Sequence, residues 1–307
     1  MENKSKIIGL LNELKILKLE LDKLIYGTIE IRNDKYIYVH YREDGLLFNK
    51  YVGEYSDTLY NLILNNNIKA KQLKKQIKII TKELKNFNYS YIELSDKVKN
   101  NIDFAKKNMV NTIYKQAILE GVATTFADTE NIIEGGKVNN MNSEDMLKIL
   151  NLKHAWEFIL NENVIASQIN YSLLCEINKF ILEGFYYNAG KIRSVPVEIG
   201  GSNYIPPLPI ETIVKEELEE ILNNKISNLD KAIELLLHIM KKQIFIDGNK
   251  RTAVIFANHF LISKGEGIIM VPAELVDEFK NLLIDYYEDK DIKGIKLFLK
   301  EKCFIKI

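Results

Sequence analysis

Between two apolar helical runs, residues 243–252 read Gln-Ile-Phe-Ile-Asp-Gly-Asn-Lys-Arg-Thr, the densest gathering of chemically capable residues in the chain. The second run, from Val254 through Phe260 to Ile262, begins directly after it. Lys250 and Arg251 therefore fall in the first turn of a helix, where the backbone presents unpaired N–H groups and about half a positive charge. Two adjacent cations at that point oppose the helix dipole, and they make sense if an anion fills the site. Gly248 lets the backbone come close to such a guest, and the amides of Asn249 to Arg251 form a nest suited to phosphate oxygens. Asp247 would repel a bare phosphate; its place is explained if it holds a divalent cation such as Mg²⁺ that bridges phosphates. The simpler alternative is an ordinary helix–turn–helix in which Asp and Asn serve as caps.

The elements that must position this turn are mostly helical. Candidate helices cover 96–121, 143–161, 166–183, 211–223, 229–243, 250–264, 273–286 and 292–301. One stretch breaks the helical pattern: residues 190–209, GKIRSVPVEIGGSNYIPPLP, alternate β-branched residues around Gly200-Gly201 and close on prolines. That pattern predicts a β-hairpin or extended flap projecting from a helical body. Before residue 95 the chain has another character. Ile7, Leu10, Leu14, Leu17, Leu21 and Leu24 step by 3 and 4, a helical seam that Gly27 is expected to end. Residues 28–52 have strand composition, with Asn33-Asp34 and Asp44-Gly45 as turn dipeptides. A second helix, capped by Ser56 or Asp57, carries Leu73, Ile77, Ile80, Leu84 and Phe87 at the same spacing. The prediction is an antiparallel helical hairpin with a small β-meander tip, its arms on the order of 30–40 Å long. Lys69, Lys71, Lys74, Lys75, Lys78, Lys82 and Lys85 line the second arm, with only Glu83 to oppose them. They form either a surface for an anionic partner or the solvated face of a coiled-coil-like helix. The expected division is 1–95 for this module and 96–307 for the helical body.

Composition narrows the field. The chain has 307 residues, enough for about two domains and a core that needs no covalent staples. Forty-two Lys and Arg balance forty-two Asp and Glu, which argues against a dedicated polyanion binder, so no DNA or RNA partner is expected. Cys175 and Cys303 are far apart and form no CxxC, so neither a disulfide framework nor a structural zinc site is expected. Nowhere do 18 apolar residues run together, and the N-terminus has no signal-type apolar core. These features point to a cytoplasmic protein without a membrane partner.

QIFIDGNKRTAV resembles the signature of Fic proteins, His-Pro-Phe-x-Asp/Glu-Gly-Asn-Gly/Lys-Arg-x-x-Arg, in the same helix–loop–helix context. Three other segments look like the family's as well: AGKIRSVPVEIGGSNYIPPLP its flap, NLKHAWEFI the helix before it, and LLIDYYEDKDIKGIKLFLKE its closing helices. The likeness covers roughly residues 100–307. It implies a mainly α Fic-fold bundle with a β-hairpin flap. It also implies a loop that binds the phosphates of ATP with Mg²⁺, and transfer of AMP to a hydroxyl of a target protein. In the Doc branch, whose loop often reads Asn-Lys-Arg-Thr-Ala, a phosphoryl group moves instead. Carried over by residue, Phe245 anchors the loop, Asp247 binds Mg²⁺, and Gly248, Asn249 and Lys250 offer backbone contacts to phosphate. Arg251 pairs with the phosphates as a fork donor, and Asn258 stands where many members also carry Asn. The flap, through Val195, Val197, Ile199, Gly200 and Gly201, is implied to take a target segment by strand addition.

The departures bear on activity. The family's motif begins with the histidine that takes the proton from the target hydroxyl, and here Gln243 stands in its place; an amide accepts no proton at useful pH. The motif's last arginine, which holds the γ-phosphate or pairs with an inhibitory glutamate, is replaced by Val254. That glutamate lies in an S/T-x-x-x-E-G/N helix motif, whose nearest match is Gln116 to Glu120-Gly121, with glutamate and glycine present and Ser/Thr absent. Glu120 and Val254 would then be a switch without its partner, or Glu120-Gly121 is simply a helix end with Gly at C′. His238 and His259 are poorly placed as substitute bases, and Tyr186, Tyr187 and Tyr204 read as packing or target contacts. Three functions remain open: a weakened or altered transferase, a non-catalytic nucleotide- or protein-binding regulator, and a scaffold working through the N-terminal hairpin, which would also serve for homo-oligomerisation. Fic proteins act as toxins, stress regulators or effectors, and nothing in this sequence selects among these roles.

Overall fold

The structure, a computed structural model, describes residues 2–43, 46–87, 94–138 and 141–307. The chain forms two compact units, residues 1–93 and 94–307, against the division at 95/96 expected from sequence.

In the first unit, α1 (Glu2–Asp22) packs along α2 (Asp57–Asn86), and three antiparallel strands lie between them in sequence: β1 (Thr28–Arg32), β2 (Tyr36–Glu43) and β3 (Leu46–Glu54). Leu14, Ile80 and Leu84 are the buried centre of the helical seam, with Ile7, Leu10, Leu17 and Ile77 packed around them. Ile37 and Val39 of β2 bury against Ile63 of α2. Asn33 and Asp34 both adopt positive φ, at 53° and 50°, in a turn closed by the Lys35 N–H on the Arg32 carbonyl; Arg32 pairs with Tyr36 across a three-residue loop. The Asp44-Gly45 turn dipeptide lies outside the described residues. Helix α1 ends at Asp22, short of Gly27, whose N–H and C=O are both taken by the Asn67 side chain at 2.8 and 3.0 Å. Ser56 caps α2 by accepting the Leu59 N–H.

The second unit is built around α11 (Asn249–Ser263), preceded by its hairpin partner α10 (Asn228–Lys242). From Asn249 to Ile262 every residue of α11 except Lys250 is buried. A helix apolar on all sides must be enclosed, and α3 (Asp96–Lys107), α6 (Ser143–Ile159), α7 (Glu162–Ile165), α8 (Tyr171–Ile181) and α10 surround it. The remaining α-helices of the described residues are α4 (Met109–Leu119), α5 (Phe126–Ile133), α9 (Glu211–Asn223), α12 (Val276–Tyr287) and α13 (Lys293–Phe298). Strands β4 (Gly267–Ile269) and β5 (Phe304–Lys306) pair with each other.

The expected helix over 96–121 is two helices. Asn108 ends α3 and begins α4, and its side chain donates to the Phe104 carbonyl at 2.8 Å, the local competition with the ladder that disfavours Asn inside helices. Helix α8 starts at Tyr171 instead of 166 because Asn170 caps it. The flap, residues 190–209, is extended but has no strand ladder, so the hairpin reading is corrected to an extended loop. Four of the chain's five prolines, Pro196, Pro206, Pro207 and Pro209, lie in it and supply no N–H for pairing.

Candidate functional site

The turn between α10 and α11 is shaped by residues that bond to the turn itself. Gln243 ends α10 in the left-handed conformation, with φ 47° and ψ 62°. Its side-chain amide is engaged at both ends: Nε2 donates to the Met240 carbonyl at 2.6 Å, and Oε1 accepts from Asn249 Nδ2 at 3.0 Å. Asn249 braces the turn from within, its Oδ1 accepting the Phe245 N–H and its Nδ2 donating to the Phe245 carbonyl. Its side chain is therefore unavailable to a ligand, although its backbone N–H heads α11. Phe245 is wholly buried, an anchor of the turn and not a ligand contact. Gly248 has φ 72°, and a Cβ there would stand 2.9 Å from Ile181 Cγ2, so both conformation and space exclude a side chain. Among the described residues no side chain caps the N-terminus of α11.

The charged groups converge at this uncapped end. Asp247 is half-exposed; its Oδ1 accepts the Gly248 N–H at 2.6 Å and its Oδ2 accepts from Arg251 Nη2 at 3.1 Å. The Arg251 side chain is 5% exposed. Its Nε lies 3.5 Å from Glu120 Oε2, at the end of α4, and Lys250 Nζ lies 3.7 Å from Glu120 Oε1. Arg251 Nε and Glu120 Oε1 are buried and make no hydrogen bond. Beside them Tyr287 is buried, and that burial, then the Glu120 charge, push its hydroxyl's pKa up. Unbonded polar atoms of this kind are uncommon in a folded interior. Together with the free amides of α11 they make a polar cradle in which two cations, Lys250 and Arg251, face two carboxylates, Glu120 and Asp247.

Residues 168–261 match the family model described as Fic/DOC family. This chain carries a Fic/DOC-family domain. Relatives named "Protein adenylyltransferase Fic" from Drosophila grimshawi and Drosophila mojavensis are 25% and 26% identical over 178 residues, 56% of this chain. The chain spans only about a third of their length, 36% and 35%. Among solved structures, a Fic domain-containing signaling protein from Bacteroides thetaiotaomicron superposes with a TM-score of 0.55 at 20% identity, covering 67% of this chain and 85% of that one. A Fic-1 fragment from C. elegans gives 0.53 at 15% identity over 77% and 72%. At these identities the structural likeness shows the fold alone.

Within the Fic domain several sequence expectations change. Asn258 is no ligand residue: it is fully buried, donates to the Val254 and Ile269 carbonyls and accepts the Ile269 N–H, pinning β4 to α11. Glu120 is not left without a partner by Val254, because Arg251 and Lys250 take it instead. Val254 lines a small cavity with Gln116, Leu119 and Phe279. Gly121 does end α4 at C′, with φ 77° and its N–H on the Ile118 carbonyl. That end carries Glu120 to Arg251, so the helix-end reading of Glu120-Gly121 describes the structure and the reading of a switch without a partner does not. His259 is buried with Nε2 2.9 Å from the Val164 carbonyl, and His238 lies beside Glu217. Burial lowers the pKa of both.

On the flap, Val195 is exposed, Val197 and Ile199 are half-buried, and Gly200 and Gly201 form the exposed tip. Glu288, after α12, holds that tip by accepting the Asn203 N–H at 2.8 Å and the Ser202 hydroxyl at 3.1 Å. Tyr187 is almost wholly exposed, and Lys241 lies over the Tyr204 ring. Cys303 is the buried cysteine, and Cys175 is half-buried.

Three buried polar residues make contacts that the sequence does not announce. Gln116 donates to the Arg251 carbonyl and accepts from Trp156 Nε1. Asn178 donates to the Asp247 carbonyl and to Thr252 Oγ1, and accepts the Gly190 N–H. Among the described residues the Arg193 side chain donates to backbone carbonyls, those of Gln243, Val195, Pro206 and Pro207. The available signal for Gln116 and Asn178 was a polar side chain at a core position of an apolar helix.

Proposed function

We propose that the Fic domain binds a nucleotide such as ATP, with a divalent cation, at the 247–251 turn, and that it transfers AMP to target hydroxyls weakly. The observation that carries the binding reading is the buried Arg251 Nε, which has no hydrogen-bond partner among the described residues, beside the uncapped N-terminus of α11; Glu120 faces it and must yield to an anion. An anion entering there gains the guanidinium and the free amides together. Asp247 would hold Mg²⁺. Among the described residues no cluster of three or more His, Cys, Asp or Glu forms a protein-only metal cage. Mg²⁺ is usually held by one or two carboxylates plus substrate phosphates, and Asp247, half-exposed beside Arg251, would be the carboxylate here. When bound, the ion would neutralise phosphate charge. The chain's own residues do the rest: Arg251 orients the phosphates, Gly248 allows close approach, and the flap offers a surface for a target segment.

Gln243 stands where the family's general base would be. General-base catalysis is worth about 10²–10⁴-fold, so transfer is slowed by that order. The Gln243 amide is also fixed by Met240 and Asn249, which favours a second reading: a regulator that binds nucleotide and transfers nothing. Calorimetric titration with ATP and Mg²⁺, beside Arg251→Ala, tests the binding claim. A saturable heat in the wild type that the variant loses supports it, and no heat in either refutes it. Labelled ATP with cell lysate separates the two readings. Label incorporated by the wild type supports transfer; label only with Gln243→His supports the regulator.

A further inference from the structure

Arg193 sits at the base of the flap and is 2% exposed. A buried guanidinium is costly unless its donors are satisfied, and the described structure gives this one backbone carbonyls as its side-chain partners. Nε donates to Gln243 at 2.6 Å, Nη1 to Val195 at 2.8 Å, and Nη2 to Pro206 and Pro207 at 3.2 and 2.7 Å. Its own backbone N–H donates to the Ile244 carbonyl at 3.0 Å. An arginine needed only to hold the flap together would join Val195 to Pro206 and Pro207. This one also holds Gln243 and Ile244, the start of the turn that leads to the cradle. The Gln243 carbonyl it holds belongs to the residue in the left-handed conformation, which non-glycine residues adopt only at an energetic cost.

The far end of the turn is tied to the same flap base. Asn178 accepts the Gly190 N–H at 3.0 Å and donates to the Asp247 carbonyl at 3.1 Å. Flap base and turn are thus joined at both ends by buried polar groups, while Val195, Ile205 and Leu208 leave the flap's outer surface exposed. The planar fork is what makes the junction feasible. Its donors reach three separate chain segments at once, whereas a lysine ammonium concentrates its donors at one point.

We infer that Arg193 is a positioning residue: it sets the distance between an acceptor segment lying on the flap and the phosphates held by the 247–251 turn. This rests on the functional reading above. The test is Arg193→Lys, which keeps a cation, with Arg193→Ala as the stronger variant. Amide hydrogen exchange is read at Asn203 and Tyr204 in the flap, at Phe245 in the turn, and in the buried core of α8. In Arg193→Lys the flap and Phe245 amides exchange about tenfold faster together, the size expected for one or two lost net hydrogen bonds, while α8 is unchanged. The affinity for ATP with Mg²⁺ stays within about threefold of wild type, and any transfer loses kcat/KM for the acceptor with KM for the nucleotide held. Faster exchange in the flap alone, or in flap, turn and α8 equally, overturns the coupling. A wild type that binds no nucleotide refutes the functional reading, and the exchange comparison still decides whether Arg193 joins the flap to the turn.

Discussion

Replacing Glu120 by Gln removes the carboxylate charge from the cradle with almost no change of shape. In the native structure Glu120 lies 3.5 Å from Arg251 Nε and 3.7 Å from Lys250 Nζ, and its side chain is 13% exposed. At an effective dielectric of about 20, a charge pair at this distance attracts by roughly 4–5 kcal/mol before desolvation is counted. Desolvation offsets much of that, and the absence of a hydrogen bond from Arg251 Nε shows that the pair is not optimally formed. A net contribution of about 1–2 kcal/mol remains, and an incoming phosphate must displace it. Glu120→Gln therefore tightens ATP binding by about 5–30-fold. The same substitution lowers stability by about 1–2 kcal/mol, less than the roughly 3–5 kcal/mol typical of a broken buried pair, because Asp247 still holds Arg251 at 3.1 Å. Calorimetry gives the affinity and urea denaturation the stability. Unchanged or weaker nucleotide binding in Glu120→Gln, in a variant shown to be folded, would refute the reasoning that Glu120 competes with the guest.

Gly248→Ala should cost about 1–3 kcal/mol of stability by thermal denaturation, because φ is 72° and the new Cβ meets Ile181. A wild-type melting temperature in that variant would contradict the geometry. Asn258→Leu should cost about 2–4 kcal/mol in urea, since it leaves the Ile269 N–H and carbonyl buried without partners, while a folded fraction retains its nucleotide affinity. A selective loss of affinity would restore Asn258 as a ligand residue. The Glu288 carboxyl is held down to about 2 by Lys290, then by the Asn203 N–H, with the Ser202 hydroxyl adding to it. Its folded pKa is depressed, so the tip anchorage is fully present above about pH 4.5 and is lost as pH falls through about 2. The Asn203 amide chemical shift should follow that titration, and a flat profile over the range would remove Glu288 as the anchor.

The helices that enclose the site were legible because their apolar residues repeat at helical spacing over ten or more residues, as from Leu229 to Met240. The turn was legible because a glycine followed by two cations at a helix start calls for special backbone geometry and for negatively charged partners, which Glu120 and Asp247 supply within the chain. What the sequence hid were competitions and long-range partners. Asn108 could continue a helix or bond back to Phe104, and only its surroundings decide for the break. Strands of three residues, such as β4 and β5, carry too little pattern to be seen. Glu120 stands 131 positions from Arg251 in the chain, so no local spacing could show that it would pair there and not at residue 254. Arg193 lies in the segment that resembles the family's flap, but its contact with Gln243 follows from tertiary packing alone.

The central claim is that the amides of Asn249, Lys250 and Arg251, with the Arg251 guanidinium, receive an anion. Backbone ¹⁵N–¹H spectra recorded while ATP and Mg²⁺ are added test it most directly. The account predicts that these three amides and the Arg251 Nε–H shift together and saturate at one concentration. Saturable shifts elsewhere in the domain with these four resonances unmoved, or no shifts even in Glu120→Gln, would contradict it.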